Sequence, residues 1–213
     1  MKIAVVTEFS TVDKNKDVVD ALSGFGHEII NAGMQKNPDE PVLSYLETSI
    51  ISALLLELKV VDFVVGGCGT GQGYFNAVMQ FPGIFCGLLL DPVDAWLFAQ
   101  VNAGNTVSLS LNKGYALGGN INLKFIFEKL FSVEFGSGYP EHRKIPQKEA
   151  REALGRLSQT THRPFDVIVE EMDELIIRKV LTFPGMMQLI ENAPGESLKL
   201  KNALIKRYQN LTC

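Results

Sequence analysis

Val60-Val61-Asp62-Phe63-Val64-Val65 runs directly into Gly66-Gly67-Cys68-Gly69-Thr70-Gly71-Gln72-Gly73. The first six residues, mostly β-branched or aromatic, have the pattern of a parallel strand buried on both faces. Five glycines in the next eight positions let the backbone approach a ligand closely and leave N–H groups free to meet an anion. Open α/β sheets bind ligands at the carboxyl ends of their strands, where this loop falls. The loop's side chains with ready chemistry are the Cys68 thiol and the Thr70 hydroxyl. The stretch points to a small anionic substrate handled by a cysteine.

Outward from it, strands and helices alternate. Residues 2–8 are predicted as a strand, and Asp13 as the cap of a helix to Phe25, with Val18, Val19, Leu22 and Phe25 at helical spacing. His27-Glu28-Ile29-Ile30 is a second strand opened by a packed or satisfied histidine. A helix follows over 42–58, then the strand at 60–65, a helix from Tyr74, a strand over 84–90, and a helix capped by Asp91 with Pro92 at its first position. A fifth strand over 106–111 and an apolar helix over 120–135 complete the alternation. Such βαβ units give a doubly wound, five-stranded parallel sheet in a three-layer Rossmann-like sandwich. After Gly136-Ser137-Gly138-Tyr139-Pro140 the pattern turns wholly helical. Residues 147–160 form one helix and 164–181 another, whose stripe is Phe165, Ile168, Val169, Met172, Leu175 and Ile176. The expected division is an α/β domain over 1–145 and a helical C-terminal extension over 146–213.

Composition narrows the function. At 213 residues, 46% hydrophobic and 21% charged, the chain suits a globular fold with a filled core. A net charge of −4 argues against general nucleic-acid binding. No apolar run reaches the roughly 18 residues of a spanning helix, and the N-terminus enters a strand rather than a leader. Cys68, Cys86 and Cys213 have neither paired nor metal-type spacing, which fits a reducing, cytoplasmic setting and calls for no metal. His27, His142 and His162 form no metal-ligand pattern. The glycine loop lacks the G-x-G-x-x-G dinucleotide fingerprint and the Gly-Lys-Ser/Thr of a Walker loop, and no arginine closes it as in a cysteine phosphatase.

Gly67-Cys68-Gly69-Thr70-Gly71-Gln72-Gly73, Pro82-Gly83-Ile84, Asp91-Pro92-Val93-Asp94-Ala95 and Asn102-Ala103-Gly104-Asn105 follow one another in that order. This set resembles the ribose-5-phosphate isomerase B/galactose-6-phosphate isomerase family over roughly residues 1–145, and its longer members in having a helical C-terminal segment. The resemblance implies an aldose–ketose isomerase that acts on a sugar phosphate through an enediolate, without a cofactor. It makes Cys68 the base. A thiol near pKa ~8.5 can be brought toward neutrality by surrounding amides. Thr70 and the amides of Gly69, Gly71, Gln72 and Gly73, with Gly67 before them, are then the oxyanion and substrate cradle. The resemblance also implies substrate roles for Tyr45, Asn102 and Asn105, and a phosphate role in the neighbouring subunit's site for Arg143, whose fork suits an anion.

The chain departs from the family pattern at three places. Glu8-Phe9 stands where Asp-His is usual, Val101 where a ring-opening histidine precedes Asn102, and Phe85 where an arginine follows Pro-Gly-Ile. The proton-transfer loop is intact, so the reading is a retained reaction type with a changed substrate, and Glu8 and Asp91 are the candidates for further acid–base work. A homodimer or larger assembly is expected, because the family builds its sites between subunits and the helix over 120–135 is too apolar for exposure. Two other classes stay open: a non-catalytic sugar-phosphate binding protein on the same fold, and a flavodoxin-like nucleotide-binding domain.

Overall fold

Ile3 and Val5 point to one side of their strand and Ala4 and Val6 to the other, and all four are fully buried, so helices must cover both faces of the sheet. The computed structural model of the chain describes residues 1–37, 39–194 and 197–212, and shows this arrangement. Strands β1 (Lys2–Val6), β2 (Glu28–Asn31), β3 (Phe63–Cys68), β4 (Cys86–Leu89) and β5 (Thr106–Ser110) form one parallel sheet in the order β2-β1-β3-β5-β4. On one face lie α1 (Asn15–Leu22), α4 (Pro92–Leu97) and α5 (Gly119–Leu130), whose Leu22, Ala95 and Phe127 pack with Ile3, Val5, Phe63 and Val65. On the other lie α2 (Tyr45–Glu57) and α3 (Gln72–Val78), against Ala4, Val6 and Val64.

The extension consists of α6 (Lys144–Thr161), α7 (Phe165–Glu171), α8 (Glu174–Leu181), α9 (Met186–Glu191) and α10 (Leu198–Thr212). Its Val169, Ile177, Val180, Ile190 and Leu204 are fully buried in the same core as Leu54 and Leu55 of α2. The extension therefore covers the outer side of α2, which explains why that helix is apolar nearly all round. Phe165 stacks on Phe81, and the Gly83 N–H donates to Ser158 Oγ at 3.0 Å, so the turn before β4 is also gripped. Among the described residues no helix is long and apolar enough to cross a membrane. Cys213 lies outside the described residues.

Several predicted boundaries shift for identifiable reasons. Asp13 does not cap a helix. The chain leaves β1 through a 3-10 turn, Phe9–Lys14, capped by Glu8, and α1 begins only at Asn15. Gly66, Gly67 and Cys68 belong to β3 rather than to the loop, because bare Cα atoms let Tyr74 and Leu109 press against the strand. The helix expected over 164–181 is two helices: the Asp173 carboxylate accepts the N–H groups of Leu175 and Ile176 and starts α8 afresh. That break turns Leu175 out to solvent, whereas Phe165, Val169 and Ile176 keep their core contacts.

Candidate active site

The crevice is built from the loops after β1, β3 and β5. Register places Cys68 level with Ser110 and Gly66 level with Val6, so all three loops leave the sheet at one edge. Cys68 ends β3 with only 7% of its surface exposed. Its carbonyl accepts the N–H groups of Gly71 at 3.2 Å and Leu111 at 3.1 Å, which folds the glycine loop back over the strand end. Gly71 takes φ +76°, and a Cβ there would sit 2.7 Å from Leu88 Cδ1, so the tight turn requires glycine on both counts.

The next peptide is held from behind. The Gly69 carbonyl accepts the Asn112 N–H at 3.0 Å and the Lys113 N–H at 2.8 Å. Because C=O and N–H of a trans peptide point in opposite directions, the Thr70 N–H turns away from the β5 loop. Among the described residues no protein acceptor meets the N–H of Gly69 or Thr70. Free, preorganised amide donors next to a thiol are what a developing oxyanion needs. The Thr70 hydroxyl oxygen accepts the Gln72 N–H at 3.3 Å, and both side chains face solvent.

Glu8 is buried, yet its oxygens are committed to its own loop. One accepts the Ser10 N–H at 2.9 Å, and the other accepts the Ser10 hydroxyl at 2.5 Å and the Thr11 hydroxyl at 3.4 Å. The carboxylate thus shapes the wall beside Cys68. Ser10 and Asn112 are the residues that sequence reasoning missed. Asn112 Nδ2 donates to the Ser10 carbonyl at 2.9 Å and ties the β1 loop to the β5 loop. A Cβ on Gly69 would lie 3.3 Å from Asn112 Nδ2 and 3.6 Å from Ser10 Oγ, so both line the open side of the glycine loop. No spacing or motif announces them, since they meet only across three loops.

Tyr45, at the first turn of α2, is part of the same crevice. A Cβ on Gly73 would lie 3.2 Å from Tyr45 Cδ1, and the ring is 42% exposed. Ser44 and Glu47 form a capping box beneath it, and the Phe9 N–H donates to the Leu43 carbonyl at 3.0 Å, joining this segment to the β1 loop.

The remaining predicted residues are elsewhere in the chain. Asp91 accepts the N–H groups of Val93 at 2.8 Å and Asp94 at 2.9 Å, and so serves as the cap of α4 two strands from β3. Asn105 precedes β5 at the amino edge, where its carbonyl accepts the Val64 N–H, about 13 Å along the strand from Cys68. Its side chain accepts the Phe85 N–H at 3.0 Å and donates to the Gly83 carbonyl at 2.8 Å. Asn102 ends a π-type turn, Phe98–Asn102, and lines a cavity of about 320 Å³ with Val101, Cys86 and Arg151. Arg143 is exposed on a short turn at the base of α6. Within one copy these three do not approach Cys68. Burial pushes the Cys86 thiol well above its ordinary range, which keeps it protonated and inert.

The sequence profile of the Ribose/Galactose Isomerase family matches residues 3–147. Two solved structures match along the whole length. A 4-deoxy-L-threo-5-hexosulose-uronate ketol-isomerase, solved with a tartrate, is 33% identical with a TM-score of 0.89, covering 100% of this chain and 99% of its own. A ribose-5-phosphate isomerase from Vibrio parahaemolyticus is 32% identical, also at 0.89, covering 99% of each chain. A ribose-5-phosphate isomerase B from Clostridium thermocellum shares the fold at 20% identity and TM-score 0.62, over 75% of this chain and 99% of its own.

Proposed function

The chain belongs to the ribose/galactose isomerase family and is a sugar isomerase, and from that premise we propose that it interconverts an anionic aldose and ketose through a cis-enediolate with Cys68 as the base. The observation that carries this reading is the peptide pair around Gly69. The Gly69 and Thr70 amides stand free beside the thiol; the Gly69 N–H is oriented by the bonds of Gly71 and Leu111 to the Cys68 carbonyl, and the Thr70 N–H by those of Asn112 and Lys113 to the Gly69 carbonyl. The thiolate removes the proton on the carbon next to the carbonyl. The enediolate oxygens lean on the Gly69 and Thr70 N–H groups and the Thr70 hydroxyl. The sugar's hydroxyl proton passes from the oxygen that becomes the new carbonyl to the former carbonyl oxygen, and the thiol returns the carbon's proton to the neighbouring carbon. Two or three such donors together supply several kcal/mol of transition-state stabilisation, about 3 kcal/mol each in favourable cases. A thiol that must cycle through its anion works in a reducing compartment, in keeping with a cytoplasmic enzyme.

The substrate class expected from the sequence is a sugar phosphate, as for the Vibrio relative. An open-chain uronate is the second reading, and Phe9 and Val101 favour it: neither can exchange a proton with a ring hydroxyl, and an open-chain sugar needs no ring opening. The full-length match to a uronate ketol-isomerase agrees with it. In either case Asn102, Asn105 and Arg143 reach a substrate only from a second copy. Val93, Leu97, Ile121 and Phe125 of α4 and α5 are 37–63% exposed and give that copy an apolar face. The account therefore includes a homodimer. Turnover of D-ribose 5-phosphate, D-galactose 6-phosphate and 4-deoxy-L-threo-5-hexosulose uronate by wild type and Cys68→Ala decides between the classes. Activity on one class that vanishes in the variant supports the reading. Tight binding of a sugar phosphate without turnover of any of the three moves it to a binding protein.

A further inference from the structure

The extension holds α2 at both ends. At the carboxyl end, the Ser197 hydroxyl donates to the Glu57 carbonyl at 2.9 Å, satisfying one of the last-turn oxygens that a helix leaves open. At the amino end, Lys179 of α8 reaches Glu47 Oε1 at 3.3 Å. The Glu47 side chain is only 5% exposed, and its other oxygen accepts the Ser44 N–H at 2.7 Å and the Ser44 hydroxyl at 2.6 Å. Tyr45 lies between these two partners in sequence, with its ring against Gly73 of the glycine loop and partly open to solvent. α8 is itself fixed from the far side, since Arg178 donates to the Leu211 carbonyl of α10 at 2.6 Å.

We propose that the C-terminal extension is a brace for the active site, with Lys179 as a positioning residue that acts through Glu47 and Ser44 on Tyr45. This rests on the isomerase reading and deepens it, since it assigns a task to the part of the chain beyond the family match. The physical basis is the buried carboxylate. Glu47 cannot turn toward water, so without Lys179 one oxygen faces a low-dielectric surrounding unpaired, and relief comes by moving the first turn of α2. That turn carries Tyr45. A half-exposed lysine adds little to global stability, and its effect is expected in geometry.

The test is a double-mutant cycle on the full-length protein, with D-ribose 5-phosphate and 4-deoxy-L-threo-5-hexosulose uronate as the assayed sugars and amide hydrogen exchange over residues 44–48 read in parallel. Lys179→Met should lower kcat/KM about fivefold to tenfold and speed exchange of those amides, with the melting temperature changed little. Lys179→Arg should restore the rate to within about twofold. In a Tyr45→Leu background Lys179→Met should cost nothing further. Unchanged exchange and kinetics in Lys179→Met, or a loss that adds in full to that of Tyr45→Leu, overturns the brace. If Tyr45→Leu is itself silent, the substrate role of Tyr45 falls with it. Retained turnover in Cys68→Ala instead defeats the isomerase reading and leaves the exchange result to judge the brace alone.

Discussion

The ring of Tyr74 lies against the bare Cα of Gly66, and a methyl group at that position would overlap Tyr74 Cζ. Tyr74 is fully buried and donates to Ser52 Oγ at 2.6 Å, and Ser52 donates to the Thr48 carbonyl at 2.7 Å. The strand that presents Cys68 is thus keyed to α2 through one tyrosine. Gly66→Ala should destabilise the fold by about 2–3 kcal/mol through overpacking, read as a lower urea midpoint with an unchanged slope. A variant as stable as wild type contradicts this packing.

Glu47 predicts a pH dependence. Burial raises its pKa, but the Ser44 hydrogen bonds and the Lys179 charge outweigh that and leave it below the ordinary value. A carboxyl depressed in the folded state contributes stability that is present above its unfolded pKa, about 4.3, and is lost as pH falls through its folded value. Glu47→Gln should cost about 1–2 kcal/mol at pH 7 through the weakened cap. Its melting temperature should fall less steeply than that of wild type below pH 5.

His27 acts in the same direction over a higher pH window. Its imidazole packs edge-on against Phe131, with ring centroids 4.6 Å apart, which is the packed one of the two alternatives expected from sequence, and its Nε2 is buried without a partner. Burial and the nearby chain terminus lower its pKa. The folded state therefore binds fewer protons than the unfolded state below the ordinary value of about 6.5, and stability is lost as pH drops through that value. His27→Leu should flatten the fall in melting temperature between pH 7 and pH 5. An unaltered slope rules this origin out.

Asn112 fastens the β1 loop to the β5 loop through its side chain and the Gly69 peptide through its backbone. Asn112→Ala keeps the second bond and loses the first. We expect kcat to fall about tenfold with KM within about twofold, because the loosened donors act on the enediolate more than on the ground state. A rise in KM alone would place Asn112 in ground-state binding.

How far the sequence carries is visible at these positions. The run from Val60 to Gly73 was legible because a buried strand and a glycine loop are local patterns, and the sheet with its five parallel strands follows from the alternation. Boundaries were lost where tertiary contacts set them. Gly66 and Gly67 look like loop until Tyr74 and Leu109 are seen pressing on them, and the Asp173 cap that splits α7 from α8 competes with an unbroken apolar stripe. Glu8 was located at the crevice, but not its commitment to Ser10 and Thr11. Asn105 illustrates the limit most clearly. Its place in an ordered motif marks it for the substrate, whereas only the sheet register shows that it sits at the edge away from Cys68.

The central claim is that Cys68 exchanges a proton with carbon. Wild type and Cys68→Ala are incubated in heavy water with D-ribose 5-phosphate and with 4-deoxy-L-threo-5-hexosulose uronate, and the sugars are followed by proton NMR. The account expects deuterium to enter at the carbon beside the carbonyl with wild type and not with Cys68→Ala. Deuterium entering equally with the variant, or isomerisation that persists undiminished in Cys68→Ala, contradicts it.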